Sequence, residues 1–282
     1  RIIFDLSDFY LAETKLKDLI RSLFYFFSGR HSKLEKSYRY SLMNMIKNSD
    51  IIICGSVEQK KILNNYHSNI KIVRDYFKHD IKFKKNKYSF IKNGELNIVW
   101  EGLSHGNINI FKNIDKILSK IKSYNVNIHI ITDPKYCSVG GKYFCKPTIE
   151  VLNSVFKNSK VNFYYYDWNI LTFSSIISSC DLAIIPLGND PIIRMKPENK
   201  LLLFWEIGIP VITSKTESYL RVMNSIEMDF TCESINDWRD KILELSSSKS
   251  LREKYMKFAS NYINYYCSHN KIMSIYDEIF DL

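Results

Sequence analysis

The sequence predicts an α/β protein built on parallel, doubly wound sheet in two units. Three observations carry this. Short apolar runs alternate with longer segments of helical periodicity along the whole chain. The run at 182–186 is continuously apolar, the pattern of a strand buried on both faces. The charge balance changes near residue 92: residues 1–92 carry 19 Lys/Arg against 9 Asp/Glu, and residues 93–282 carry 21 of each.

In order, 2–4 is a short strand, followed by the acidic loop Asp5-Leu6-Ser7-Asp8. Helices are predicted over 14–28 and 33–47, a strand over 50–56, a helix over 57–65 and a strand over 70–73. This β-α-α-β-α-β order is half of a doubly wound unit. Residues 79–93, with Lys82, Lys84, Lys85, Lys87 and Lys92 before the turn dipeptide Asn93-Gly94, read as a linker. The second unit, 94–265, opens with a strand at 96–100. Helix 109–123, strand 127–131, a long loop 135–147 with Gly140-Gly141, helix 148–157, strand 161–165 and helix 170–179 follow. After the strand at 182–186, a helix runs from Pro197 to Gly208, and a strand starts at Pro210. A strand near Asp229 and helices at 234–246 and 251–265 complete the unit. Residues 266–282 form a last helix, expected to pack back on residues 1–78. Strands alternating with helices at this spacing imply right-handed crossovers.

The chain has 282 residues, 45% of them hydrophobic, enough for packed cores. No run reaches the ~18 apolar residues of a spanning helix. The six cysteines are scattered, and Cys137 and Cys145, eight apart, lack the second pair of ligands that zinc needs. A reducing, cytoplasmic compartment is the expectation. The net charge of +10 resides entirely in the first third, which suggests a surface that meets something anionic.

The stretch 180–223 is the most informative. Strand 182–186 leads into a polar loop, then Arg194, Lys196 and Lys200 surround the start of a helix near Pro197. A helix N-terminus offers free N–H groups and a partial positive charge, and nearby cations complete a phosphate site. Arg194 suits planar bidentate contacts, Lys200 acts as a point charge, and Lys196 is a third cation. A solvated basic loop is the plain alternative.

PENKLLLFWEIGIPVITS, residues 197–214, resembles the nucleotide-sugar segment of GT-B glycosyltransferases, commonly P-N-K-L-x-E-Y-x-x-x-G-x-P-V-I. Glu198-Asn199-Lys200-Leu201 and Gly208-x-Pro210-Val211-Ile212 match in register. The family often has a ribose-binding glutamate five residues before that glycine, where this chain has Leu203. Glu198 and Glu206 keep an E-x7-E spacing, three residues out of frame. The resemblance implies two Rossmann-like domains facing a cleft. The N-terminal one, 1–78, would be partial and on the acceptor side, its first strands absent; the C-terminal one would bind the donor. It implies transfer of a sugar from a nucleotide diphosphate sugar to a carbohydrate or lipid-linked acceptor, in surface polysaccharide or glycan synthesis, with no cofactor and no metal.

Within that frame Arg194 and Lys200 stabilise the departing diphosphate. Gly102, after the first strand of the second unit, lets backbone N–H groups approach a phosphate or is an ordinary turn glycine. Base and ribose fall outside the carboxyl ends of the strands, near Thr132-Asp133 and the loop holding Trp168 and Asn169. Trp168 stacks on a base or caps the sheet. Glu198, Asn199 and Glu206 are candidates around the ribose. Asp5 and Asp8 face the cleft as acceptor base or sugar ligand, or cap the next helix.

Residues 14–40 combine Leu16, Leu19, Ile20, Leu23, Phe24, Phe26 and Phe27 with a basic rim. Core packing is the expected role, with an anionic membrane the alternative. A cytoplasmic protein, at most peripheral on the inner face of the membrane, follows. Nucleic acid is not an expected partner, since no RNA-binding motif is present. Other readings of the same sheet are a non-catalytic or nucleic-acid-binding α/β protein and a nucleotide-sugar epimerase.

Overall fold

The computed structural model describes residues 1–280 apart from 7, 8, 13, 30–36, 76–79, 92, 93, 105–107 and 140–142. Asp8, and the cations Arg30, Lys33 and Lys36 of the basic third, lie outside the described residues.

In the first unit, β1 (Ile3–Leu6) pairs in parallel with β2 (Ile51–Cys54), and β3 (Ile70–Ile72) lies on the other side of β2. All four residues of β2 are buried, as a central strand covered on both faces requires. Helices α1 (Lys15–Phe27), α2 (Tyr38–Lys47) and α3 (Val57–Leu63) each start at a Ser or Thr whose hydroxyl accepts a backbone N–H of the first turn. Leu6, Phe9, Leu11, Ile46, Ile52 and Leu63 form the core.

The amphipathic helix α1 departs from the core-packing expectation. Leu16, Leu19, Ile20, Leu23, Phe26 and Phe27 are exposed, and Asp18 and Ser22 are buried. Asp18 accepts hydrogen bonds from Ser37 Oγ (2.9 Å) and the Arg39 N–H (3.3 Å). The polar face is thus bound to the start of α2, and the apolar stripe turns outward.

The second unit contains β4 (Glu95–Glu101), α4 (Ile108–Leu118), β5 (Asn125–Thr132), β6 (Lys135–Val139), β7 (Tyr143–Pro147), α5 (Thr148–Phe156), β8 (Asn162–Asp167), α6 (Phe173–Ser179), β9 (Leu182–Ile185), α7 (Pro191–Arg194), α8 (Asn199–Ile207), β10 (Val211–Ser214), α9 (Glu217–Ser225), β11 (Thr231–Cys232), α10 (Ile235–Ser247) and α11 (Lys249–Tyr266). Its six-stranded parallel sheet has the order β11-β10-β9-β4-β5-β8. Phe111, Ile114, Ile117 and Leu118 give α4 one buried stripe. Helix α8 is buried at Leu201, Leu202, Phe204, Trp205 and Ile207, more than one face, because α11 also packs on it.

The expected loop 135–147 is instead an antiparallel hairpin, β6 with β7, and Cys137 pairs with Cys145 both in register and as a disulfide. The reducing-compartment expectation rested on unpaired cysteines, and this pair departs from it. Cys54, Cys180, Cys232 and Cys267 are free and buried.

The Lys-rich stretch also differs from a free linker. Residues 80–91 form a strap on the second unit. Ser174 Oγ accepts the N–H groups of Lys82 and Phe83, and Lys85 N–H donates to the Ile207 carbonyl (2.8 Å). Ile81 is buried in the larger core, and the buried Arg252 donates to the Ser89 carbonyl. Gly208, left-handed at φ +92°, makes the approach possible: a Cβ there would lie 2.3 Å from the Lys85 oxygen. Finally α12 (His269–Phe280) returns to the first sheet, where Ile279 and Ile275 pack on Ile51, Ile53 and Val73. Lys71 on β3 pairs with Glu278 at 2.6 Å.

Candidate functional site: a crevice at the sheet's switch point

From β4 the chain proceeds to β5 and β8 on one side of the sheet, then crosses to β9, β10 and β11 on the other. Such a reversal leaves a crevice outside the carboxyl ends of the central strands, the usual ligand position in open α/β sheets. Gly102 lies there, just after β4. A Cβ on it would come within 2.8 Å of Lys200 Nζ and 3.0 Å of the Trp100 ring. The missing side chain therefore makes room for the lysine. Lys200 Nζ donates to the Glu101 carbonyl at 2.5 Å, stands 3.3 Å from Glu101 Oε2 and lies over the Trp100 ring.

Lys200 is in the first turn of α8. The residue at the helix cap, Glu198, makes no capping hydrogen bond. The first N–H groups of α8 thus have no side-chain acceptor from their own cap, which suits an anion in the crevice. The physical reason is that Glu198 points elsewhere. It is fully buried, and its Oε1 accepts from Arg74 Nε (3.3 Å) and an Arg221 η-nitrogen (3.0 Å). Arg221 also holds Glu58 of α3 through two bonds, at 2.6 and 3.2 Å. Desolvation opposes ionisation of Glu58, but the Arg221 contacts outweigh it and lower its pKa. Glu198 therefore ties the two units together, whereas the sequence offered it as a candidate around the ribose. Glu206, the other ribose candidate, lies at the far end of α8, paired with Lys84 of the strap.

Arg194 and Lys200 do not meet. Arg194 ends α7 and donates to the Lys215 carbonyl beyond β10 at 2.7 Å. β9 separates β10 from β4, so the two cations bond to chain ends on either side of it. Arg194 lines a cavity of about 310 Å³ with Lys116, Asn189, Ser214, Lys215 and Trp238. Lys196 is exposed, and its carbonyl accepts from Ser218 Oγ.

Thr132 and Asp133 stand at the end of β5 and fasten the turn after Gly102. The Asp133 carboxylate accepts the Ser104 N–H (2.6 Å) and Oγ (2.7 Å), and Thr132 Oγ1 donates to it. Desolvation opposes its charge, but these donors outweigh it and hold its pKa below the usual range. The pair therefore shapes the crevice wall and has its polar atoms engaged there. Trp168, after β8, is half exposed and stacks on Phe173 with centroids 5.9 Å apart. Asn169 Oδ1 accepts the Leu171 N–H, so that amide oxygen builds the turn into α6.

Asp5 is exposed at the end of β1. Sequence reasoning missed its neighbour Asp75, which follows β3 at the same edge of the first sheet. The Asp75 carboxylate accepts a hydrogen bond from the Asn199 side chain. Desolvation, then the charge of Asp5, raise its pKa despite that bond. Its position at the end of β3, on the other side of β2 from Asp5, was the available signal. Arg74, Arg221 and Glu58 had none, since their partners lie 23 to 163 residues away.

Sheet order, crevice and α8 together define an open parallel α/β arrangement of two Rossmann-like units, and the comparisons specify the fold. A mutant of S. aureus TarM, solved with fondaparinux, α-GlcNAc-glycerol and UDP, matches with a TM-score of 0.61 at 15% identity, over 89% of this chain and 49% of that one. WaaG, a glycosyltransferase involved in lipopolysaccharide biosynthesis, matches with a TM-score of 0.57 at 11% identity, over 98% and 73%. A glycosyltransferase from Rickettsia africae ESF-5 matches with a TM-score of 0.57 at 14% identity, over 85% and 67%. The fold is GT-B, and the chain spans about half the length of TarM. No protein-family model and no curated protein matches the sequence.

Proposed function

We propose that the chain is a glycosyltransferase unit that binds a nucleotide diphosphate sugar and transfers the sugar to a carbohydrate or lipid-linked acceptor in glycan synthesis. One observation carries the reading. Lys200 and the uncapped first turn of α8 converge on the Gly102 crevice at the switch point of a GT-B sheet. The diphosphate fits there, with the nucleoside toward Trp168 and the sugar toward Asp5. In the transfer, the bond from the anomeric carbon to the diphosphate oxygen breaks and one to an acceptor hydroxyl oxygen forms. The hydroxyl proton passes to a carboxylate, for which Asp5 stands at the cleft. Lys200 and the helix N–H groups stabilise the charge that develops on the diphosphate. Arg194, across β9, contributes from the other side. In this reading the cations serve in place of a metal ion, so activity is expected to survive EDTA.

The apolar stripe of α1 supports peripheral attachment to an anionic membrane, where a lipid-linked acceptor resides. Among the described residues, no helix is long and apolar enough to cross a membrane.

Calorimetry with UDP and other nucleoside diphosphates tests the donor site. Lys200→Ala and Arg194→Ala should each weaken binding by about 1.5–3 kcal/mol, the scale of a charged hydrogen bond. Unchanged affinity in both variants, with circular dichroism intact, would remove the assignment. Product analysis with donor alone separates transfer from epimerisation, which needs no acceptor.

A further inference from the structure

On the face made by α9 and α11, away from the crevice, lies a groove of about 320 Å³. Ile226 and Glu227 line it from the end of α9, and Phe258, Asn261, Tyr265 and Tyr266 from α11. Its rings are held by one another. The Tyr262 and Tyr266 centroids are 4.6 Å apart, and Tyr265 stands edge-on to Tyr266 at 4.7 Å. The Arg74 guanidinium lies 5.6 Å from the centre of the Tyr266 ring. Yet Tyr265 is 72% and Tyr266 40% exposed, so the ordered platform faces solvent.

The lining chemistry selects the occupant. Among the described residues no lysine or arginine lines the groove, and Glu227 is its one charged group, which disfavours phosphates and anionic lipid. The volume is at the low end for a small-ligand pocket and too small for a helix. A sugar ring presents a flat C–H face for an aromatic ring and a rim of hydroxyls. Asn261 supplies donors and an acceptor, Glu227 an acceptor, and the tyrosine hydroxyls both. Rings already fixed in place lose little freedom on binding.

We propose that this groove binds one or two units of a neutral carbohydrate chain, at a site separate from the nucleotide crevice. Arg74 joins the two regions, since it packs on Tyr266 and bonds Glu198 beside Lys200. The inference rests on the groove alone and does not require the donor reading.

The test is a titration of protein carrying ¹³C-labelled tyrosine with maltotetraose and with chitotetraose, without nucleotide, followed by NMR. At least one tetrasaccharide should shift the Tyr265 and Tyr266 ring signals saturably, while exposed Tyr40 on α2 stays still. Tyr265→Ala should weaken that binding about tenfold, as loss of one stacking contact does. Asn261→Ala is a second variant that spares the aromatic packing. The proposal is overturned if neither sugar moves these rings, if both variants bind unchanged, or if phosphatidylglycerol vesicles move the rings and sugars do not. UDP binding measured on the same samples reports the crevice separately, so failure of either site is distinguishable.

Discussion

Asp75 illustrates how one side chain couples the crevice to stability. Burial and the Asp5 carboxylate raise its pKa, and the Asn199 amide only partly compensates. A carboxyl whose folded pKa exceeds its unfolded value binds its proton more tightly in the native state. The stability this contributes is present at low pH and is lost as pH rises through the raised value. Asp75→Asn keeps an oxygen for Asn199 and removes the repulsion. It should raise the melting temperature at pH 7 and leave it nearly unchanged at pH 3; a variant less stable at pH 7 would contradict the charge clash. Asp133 behaves oppositely, since its lowered pKa favours the fold above the ordinary carboxylate range and is lost on acidification. At this scale the sequence was legible where a residue type implied its chemistry locally. Lys200 and Gly102 were marked by a helix start and a strand end. Glu198 matched a motif, but only its distant partners Arg74 and Arg221 determine where its carboxylate turns.

The strap and the hairpin are the elements whose composition misled. Lysines at 82, 84, 85 and 87 look like a solvated linker, but the strap is held by backbone bonds and by Lys84 and Lys85, whose partners Glu206 and the Cys180 carbonyl lie about a hundred residues away and leave no local signal. Limited trypsin digestion should therefore spare residues 80–91 until the second unit unfolds, and rapid cleavage there would show the strap detached. Gly208→Ala tests the same contact from the other side. The new methyl would collide with the Lys85 carbonyl and sit at a positive φ, so a loss of about 1–3 kcal/mol is expected in denaturant melts. In the hairpin, Gly140-Gly141 read as loop, while the strands on either side were too short to announce their alternation. The disulfide closes a small loop, and on chain-entropy grounds Cys137→Ser should cost about 2–3 kcal/mol. The parallel strands were easier. Runs such as Leu182–Ile185 are buried throughout and need no partner identity to be recognised.

Across the whole molecule, the strand-helix alternation predicts each sheet, but the joining of the units depends on pairs far apart in sequence. Glu58–Arg221, Arg74–Glu198 and the Gln59 bond to the Met195 carbonyl hold α3 and the crevice together. The placement of α1 is equally a property of the assembled chain. Its amphipathic pattern suits a core helix or a surface one, and the burial of Asp18 and Ser22 settles which face turns in. The outward stripe of Leu16, Ile20 and Phe27 then lies within the basic first third, residues 1–92, which holds the entire charge excess. Apolar insertion and attraction of about 1 kcal/mol per basic residue near the surface would act together at an anionic bilayer, the second decaying within a Debye length. Vesicle sedimentation should show binding that requires phosphatidylglycerol and weakens as salt rises from 0.05 to 0.5 M, about a threefold fall in screening length. The triple variant Leu16→Ser, Ile20→Ser, Phe27→Ser should lose binding while keeping its melting temperature, because these side chains are exposed at 67%, 57% and 81%. If that variant unfolds, the stripe is covered in solution. If it binds as before, or if neutral vesicles capture the protein equally, α1 is not the attachment surface and the basic first third meets a different anion.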